Sequence, residues 1–189
     1  MNKRAVCVFG VSGVGKSALL QTISDILPDV VIARGSMILK EAFGVASYER
    51  LESISAPVKK QMLIDGMSTF VKNSASRTII MDTHLVVPIW KSSDMVIEDM
   101  WDDAMLQLFQ GFVYVTAHPS MVAERRRMNN ERTLRVTRST SQMCAKDLEL
   151  NAQRWDVVSI KMPYKKVVVN DQSLLIGAEK ISVFIQSLQ

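Results

Sequence analysis

The stretch Val6-Cys7-Val8-Phe9-Gly10-Val11-Ser12-Gly13-Val14-Gly15-Lys16-Ser17 constrains this chain more than any other. Four β-forming residues lead into a glycine-rich turn, and Lys16-Ser17 open a helical pattern. The spacing Gly10-x-x-x-x-Gly15-Lys16-Ser17 is that of a phosphate-binding loop. A polyphosphate carries several negative charges and has to be wrapped by backbone N–H groups at close range. Glycine permits that approach because it lacks a Cβ and tolerates positive φ. The helix behind the loop offers unpaired N–H donors and the positive end of its dipole. Nucleotide binding is therefore expected from the amides of Gly10, Val11, Ser12, Gly13, Val14, Gly15, Lys16, Ser17 and Ala18. The Lys16 ammonium would meet the β- and γ-phosphates, and the Ser17 hydroxyl would ligate Mg²⁺. A plain glycine turn between strand and helix is the alternative, and the flanking strand and helix patterns argue against it.

The loop fixes a phosphate site; the rest of the chain has to supply a sheet to hold it. With 189 residues and 48% hydrophobic content, the chain suits one domain, residues 1–189, around a single core. Strand and helix signals alternate along it, which predicts a parallel sheet with crossover helices. The strands are expected at Ala5–Phe9, Val30–Ala33, Thr78–Asp82, Phe112–Thr116 and Lys165–Val169. Helices are expected over Lys16–Leu27, from an N-cap at Ser36 to Gly44, and from Ser55-Ala56-Pro57 to about Lys72. Further helices are expected over Trp101–Phe109, Pro119–Met128, Ser141–Trp155 and Ser173–Leu188. Residues 86–99 read as a surface excursion. The fold class is α/β: a P-loop NTPase fold with a five-stranded parallel sheet flanked by helices.

Net charge is +4, from 23 basic and 19 acidic residues, too mild to demand a nucleic-acid partner. Two cysteines, Cys7 and Cys144, suit a reducing compartment better than a disulfide framework. Met1-Asn2-Lys3-Arg4 enters a strand directly, which leaves no room for a signal peptide. No apolar run nears the ~18 residues of a membrane span. The expectation is a cytoplasmic protein without a membrane partner.

Asp82 ends a buried strand, where a carboxylate can orient Mg²⁺ or its waters beside Ser17. Capping of the next turn is its plainer role. His84 would share the side of Asp82 if the strand continued, and a satisfied polar residue is the commoner fate of a lone histidine. His118, before Pro119, reads as a loop or cap residue. Arg125, Arg126, Arg127, Arg132, Arg135 and Arg138 fall within fourteen residues, with Glu124 and Glu131 as the nearby acids. That excess calls for an anion, since guanidinium forks match phosphate oxygens. On a segment that moves, such arginines can close over a nucleotide and stabilise the transferring phosphoryl group. A solvated basic loop and an RNA-contacting patch are the alternatives, and aromatic interleaving for RNA is absent. The Asn-Lys-x-Asp and Asp-x-x-Gly runs of GTPases are missing. A nucleoside monophosphate acceptor needs no general base, because its phosphate is already anionic with a second pKa of ~6.

Together these residues resemble the archaeal-type adenylate kinases. The resemblance rests on Gly10–Ser17, the Gly35-Ser36 turn after the second strand and Asp82-Thr83-His84 after the third. It extends to Arg126-Arg127 with Asn129-Asn130-Glu131, to the Arg135–Thr140 stretch, and to Asn170 after the last strand. It implies an ATP:AMP phosphotransferase with Mg²⁺, a small arginine-rich lid at about 129–140, and acceptor-side helices within about 36–72. It places Asn170 near the adenine of ATP, and Arg34, Gly35, Ser36 and His84 on the acceptor side. Ala33-Arg34-Gly35 stands where that family has Asn-Phe-Gly, and Leu51-Glu52-Ser53-Ile54 where it has Met-Arg-Lys-Leu. Arg34 or Arg50 would then have to meet the acceptor phosphate.

The expected activity is a nucleoside monophosphate kinase using MgATP, with AMP first among acceptors. Lys16, Arg126 and Arg135 would be catalytic, and Ser17 and Asp82 would hold the metal. Its partners would be small nucleotides, with a homo-oligomer suggested by trimeric relatives. Two alternatives stand beside it: a small-molecule kinase with a non-nucleotide acceptor, and a nucleotide-dependent assembly factor with slow ATPase activity.

Overall fold

A computed structural model describes residues 4–47, 50–51, 53–75, 78–91, 94–128, 140–171 and 173–188. Arg4–Phe9 forms strand β1, with Ala5 through Phe9 all buried. Its side chains alternate: Ala5, Cys7 and Phe9 join one core cluster, and Val6 and Val8 join another. A strand buried on both faces belongs in the middle of a sheet, and β1 lies there. The parallel order is β2 (Val30–Arg34), β3 (Thr78–Asp82), β1, β6 (Gly111–Thr116), β7 (Tyr164–Val169). The order reverses around β1, so the loop leaving its C-terminal end opens at the crevice where α/β sheets bind ligands.

On one face, helix α1 (Lys16–Ile26) and helix α7 (Leu174–Ser187) bury Leu19, Leu20 and Ile23 against Ala178, Ile181 and Ile185. The other face is covered by α2 (Gly35–Phe43), α3 (Ala56–Asn73), the four-residue α4 (Met105–Leu108) and the C-terminal half of α6 (Ser141–Ser159). Phe9, Trp101, Phe112 and Trp155 pack there with ring centroids 5.9–6.4 Å apart. Helix α5 (Pro119–Met128) and the N-terminal half of α6 close over the loop. Cys7 and Cys144 are both buried free thiols in different clusters. Burial pushes the Cys7 thiol well above its ordinary range. No helix among the described residues is long and apolar enough to cross a membrane.

The strand and helix expectations recur in the structure with four differences. Residues 86–99 form an antiparallel hairpin, β4 (Val86–Lys91) with β5 (Asp94–Asp99), in place of a loose excursion. Pro88 hides it in the sequence; in a two-stranded ribbon both strands are edges, where proline is tolerated. Only Met105–Leu108 of Trp101–Phe109 is helical. There the Asp99, Asp102 and Asp103 carboxylates accept bonds from the Trp101 amide, the Ala104 amide and the Trp101 indole, at 3.1, 2.9 and 2.9 Å. Such local bonds compete with helix. Helix α2 starts at Gly35 with extended Arg34 as its N-cap, so Ser36 lies inside the first turn. Helix α6 runs one turn beyond Trp155 because Val158 and Ser159 continue its buried face. The lid expected at 129–140, with Arg132, Arg135 and Arg138, falls outside the described residues except for Thr140. That residue N-caps α6 by accepting from the Met143 amide at 3.2 Å.

The hairpin is held from both sides. The Lys59 ammonium on α3 donates to Oε1 and Oε2 of Glu98 at 2.7 and 2.5 Å, with both side chains under 10% exposed. From the other side the Arg154 guanidinium donates to both oxygens of Asp99. The Asn151 amide pairs with the backbone N–H and C=O of Val86 at 3.4 and 3.3 Å, as a neighbouring strand would.

Candidate nucleotide-binding site

Gly13 and Gly15 both sit at φ 92°, in the left-handed region where glycine is favoured. Gly10 is held by contact as well, since a Cβ there would lie 2.5 Å from the Val115 carbonyl oxygen. That oxygen is backbone in a central strand and cannot yield. Gly10→Ala is expected to cost about 2–3 kcal/mol of stability and to abolish nucleotide binding. Denaturant midpoints and MgADP titration check both.

The Lys16 side chain, 6% exposed, folds back over the loop. Its ammonium donates to Gly10 O at 2.6 Å and Val11 O at 3.4 Å, and lies 3.6 Å from the Asp82 carboxylate. His84 Nδ1 donates to the same Gly10 O at 2.7 Å. The Thr83 amide donates to Val8 O at 3.0 Å, which seats Asp82-Thr83-His84 against the end of β1. Ser17 is exposed at the start of α1, and the Asp82 side chain is 12% exposed. A hydroxyl and a carboxylate are the hard oxygen donors Mg²⁺ takes, alongside phosphate oxygens. Among the described residues no group of three or more His, Cys, Asp or Glu could cage a metal by itself.

Arg125 and Arg126 reach the loop from outside. Arg125 donates to Val14 O and to Asn170 O, each at 2.9 Å. Arg126 Nε donates to Ser12 O at 2.8 Å while its Nη1 pairs with Asp147 Oδ2 at 2.7 Å. Asn170, 1% exposed, donates from Nδ2 to Val14 O at 2.8 Å. A Cβ on Gly15 would lie 2.5 Å from that nitrogen. A trans peptide unit sends its C=O and the next N–H in opposite directions. Drawing the Ser12 and Val14 carbonyls outward therefore turns the Gly13 and Gly15 N–H groups the other way, toward the inside of the loop.

Of the residues expected on the acceptor side, Arg34 is exposed at the end of β2, paired in register with Asp82. Buried Gly35 opens α2, where a Cβ would meet Thr83 Oγ1 at 3.0 Å and Leu63 Cδ1 at 3.1 Å. Ser36 follows in the same turn. Arg50 is exposed, and Glu52 and Arg135 lie outside the described residues. His118 is a loop residue: its amide donates to Asp171 at 2.6 Å and its ring bonds Ser120 at 2.8 Å. The loop, Asp82, His84, Arg125, Arg126 and Asn170 thus meet at one end of the sheet. Asp147, Asn151, Lys59 and Glu98 are further charged or polar groups of this end that the sequence did not single out. The spacing of Asp147 and Asn151 among the apolar residues of α6 was the available signal.

The sequence profile of a family described as an AAA domain matches residues 9–142. No curated protein sequence gives a significant match. Among solved structures, the chain is similar to a shikimate kinase from Bacteroides thetaiotaomicron, with TM-score 0.68 and 10% identity over 97% of this chain and 98% of that one. It is similar to a shikimate kinase from Aquifex aeolicus vf5, with TM-score 0.59 and 12% identity over 96% of each chain. A gluconokinase from Sinorhizobium meliloti 1021 gives TM-score 0.53 and 16% identity over 98% of this chain and 93% of that one. At such identities the likeness is one of fold, the P-loop kinase fold. With the family profile spanning residues 9–142, from the phosphate loop through the arginine segment, the chain belongs to this AAA-domain family of P-loop proteins.

Proposed function

We propose that this chain transfers a phosphoryl group from MgATP to a small anionic acceptor. The observation that carries the reading is the meeting, at Asp82, of two cationic sides. On one side stands the glycine loop with Lys16 at its mouth, and on the other Arg34 with the N-terminus of α2. Magnesium, when bound, would neutralise the charge that develops on the phosphates. Ser17 and Asp82 would hold it. Lys16 exchanges its carbonyl partners for phosphate oxygens, and the inward N–H groups of Gly13 and Gly15 fix the polyphosphate. Arg34 and the amides of α2 orient the acceptor's anion, and bringing the two reactants together supplies much of the rate.

The acceptor favoured first is a non-nucleotide acid bearing a hydroxyl, whose oxygen bonds to the γ-phosphorus as the bond to ADP breaks and whose proton passes to the Asp82 carboxylate or to water. Arg34 in place of an apolar residue supports it, as does the shared fold of the shikimate kinases and the gluconokinase. A nucleoside monophosphate is the second reading. It is favoured by Asp82-Thr83-His84 and by an acceptor oxygen that needs no base. ADP formation from MgATP would be followed with hydroxy acids, sugar acids and nucleoside monophosphates in turn, against an ATP-only control. Turnover dependent on an acid supports the first reading, and turnover dependent on AMP the second. Equal ADP formation with no acceptor overturns phosphoryl transfer in favour of an ATPase-type factor.

A further inference from the structure

Asp147 is linked to the loop through the Arg126 side chain. It sits in the second turn of α6 with its side chain 6% exposed, facing Arg126, which is 12% exposed. A buried carboxylate is costly unless it is paired and hydrogen-bonded. Here the pair reaches further than itself, because the guanidinium is planar and rigid. Fixing Nη1 on Asp147 at 2.7 Å fixes the direction of Nε, which donates to Ser12 O at 2.8 Å. The stem of Arg126 has no slack either. A Cβ on Gly13 would come within 2.9 Å of Arg126 Cγ and 3.1 Å of Val122 O, so α5 lies directly on the loop.

We propose that Asp147 is a positioning residue for the phosphate loop. By holding Arg126 it fixes the Ser12–Gly13 peptide plane, keeps the Gly13 N–H pointed at the phosphate site, and so sets nucleotide affinity. Arg126 does for the Ser12–Gly13 plane what Arg125 and Asn170 do for the Val14–Gly15 plane. The position of Asp147 adds a consequence. Helix α6 follows directly on the arginine segment through its Thr140 cap, so the helix after that segment sets the register of the loop before it. This inference rests on the reading of the loop as a polyphosphate site.

The test is MgADP binding by calorimetry, with melting temperature recorded on the same samples. Asp147→Asn removes the charge at constant shape and is expected to raise the MgADP Kd about tenfold, the scale of losing one charge-assisted bond. Arg126→Met should do the same. The double variant Asp147→Asn/Arg126→Met should bind no more weakly than Arg126→Met alone, because Asp147 acts through Arg126. Leu148→Ala, one residue along α6, should lower the melting temperature and leave the Kd within about twofold. An unchanged Kd in folded Asp147→Asn, or additive losses in the double variant, overturns the proposal while wild-type binding stands. Failure of the wild-type chain to bind MgADP overturns the nucleotide reading, and this proposal with it.

Discussion

Lys16→Ala is expected to lower phosphoryl transfer by about three orders of magnitude and to leave the fold intact. A unit charge about 4 Å from phosphate is worth roughly 4 kcal/mol at the effective dielectric of a partly buried site. That corresponds to about a thousandfold in rate if the attraction is felt mainly in the transition state. The same side chain contributes little to stability. Gly10 O, which Lys16 contacts at 2.6 Å, keeps a donor in His84 at 2.7 Å, and Asp82 lies 3.6 Å from the ammonium, beyond hydrogen-bond reach. A shift in unfolding free energy of about 1 kcal/mol is expected. Initial rates of ADP formation and a denaturant titration settle both halves. Activity within tenfold of wild type would remove Lys16 from the reaction.

Lys59→Ala is expected to produce the largest loss of stability among single charge removals, about 3–5 kcal/mol. Truncation strands Glu98, 8% exposed, in a site built for its partner. Against a domain stability of about 5–15 kcal/mol that loss is a large fraction. The double replacement Lys59→Met/Glu98→Leu is expected to be as stable as wild type or more so, because neither charge then has to leave water. Comparing the two variants in urea separates the cost of a stranded carboxylate from the net worth of the pair. A double variant as unstable as the single one would mean that the ion pair itself stabilises the hairpin.

Elements whose chemistry is local were readable in the sequence. Gly10–Ser17 announces itself because the glycines that let it turn and the Lys16-Ser17 pair all lie within eight residues. The strands of the parallel sheet announce themselves as short apolar runs. The hairpin was hidden by Pro88, and Trp101–Phe109 looked helical because its periodicity is helical; aspartate side chains divert its first turn. The partners that organise the site were not readable. Lys59 and Glu98 are 39 positions apart, and Arg126 and Asp147 are 21 apart. Each alone resembles a solvated charge on a helix or strand, and only the fold brings them together out of water. Arg126, expected at the transferring phosphoryl group, is found engaged with Ser12 O and Asp147. Density of arginine signals an anion; it does not say which arginine will meet it.

The hairpin anchored at Glu98, Asp99 and Val86 forms a strut between α3 and α6. Its one face is bolted to α3, on the side where the acceptor is proposed to bind, and its other to α6, which carries Asp147. A swing of α3 toward an acceptor would have to drag the strut, and the strut would push α6. The two substrates would then be sensed by one lever rather than by two independent pockets, and binding of each should tighten binding of the other.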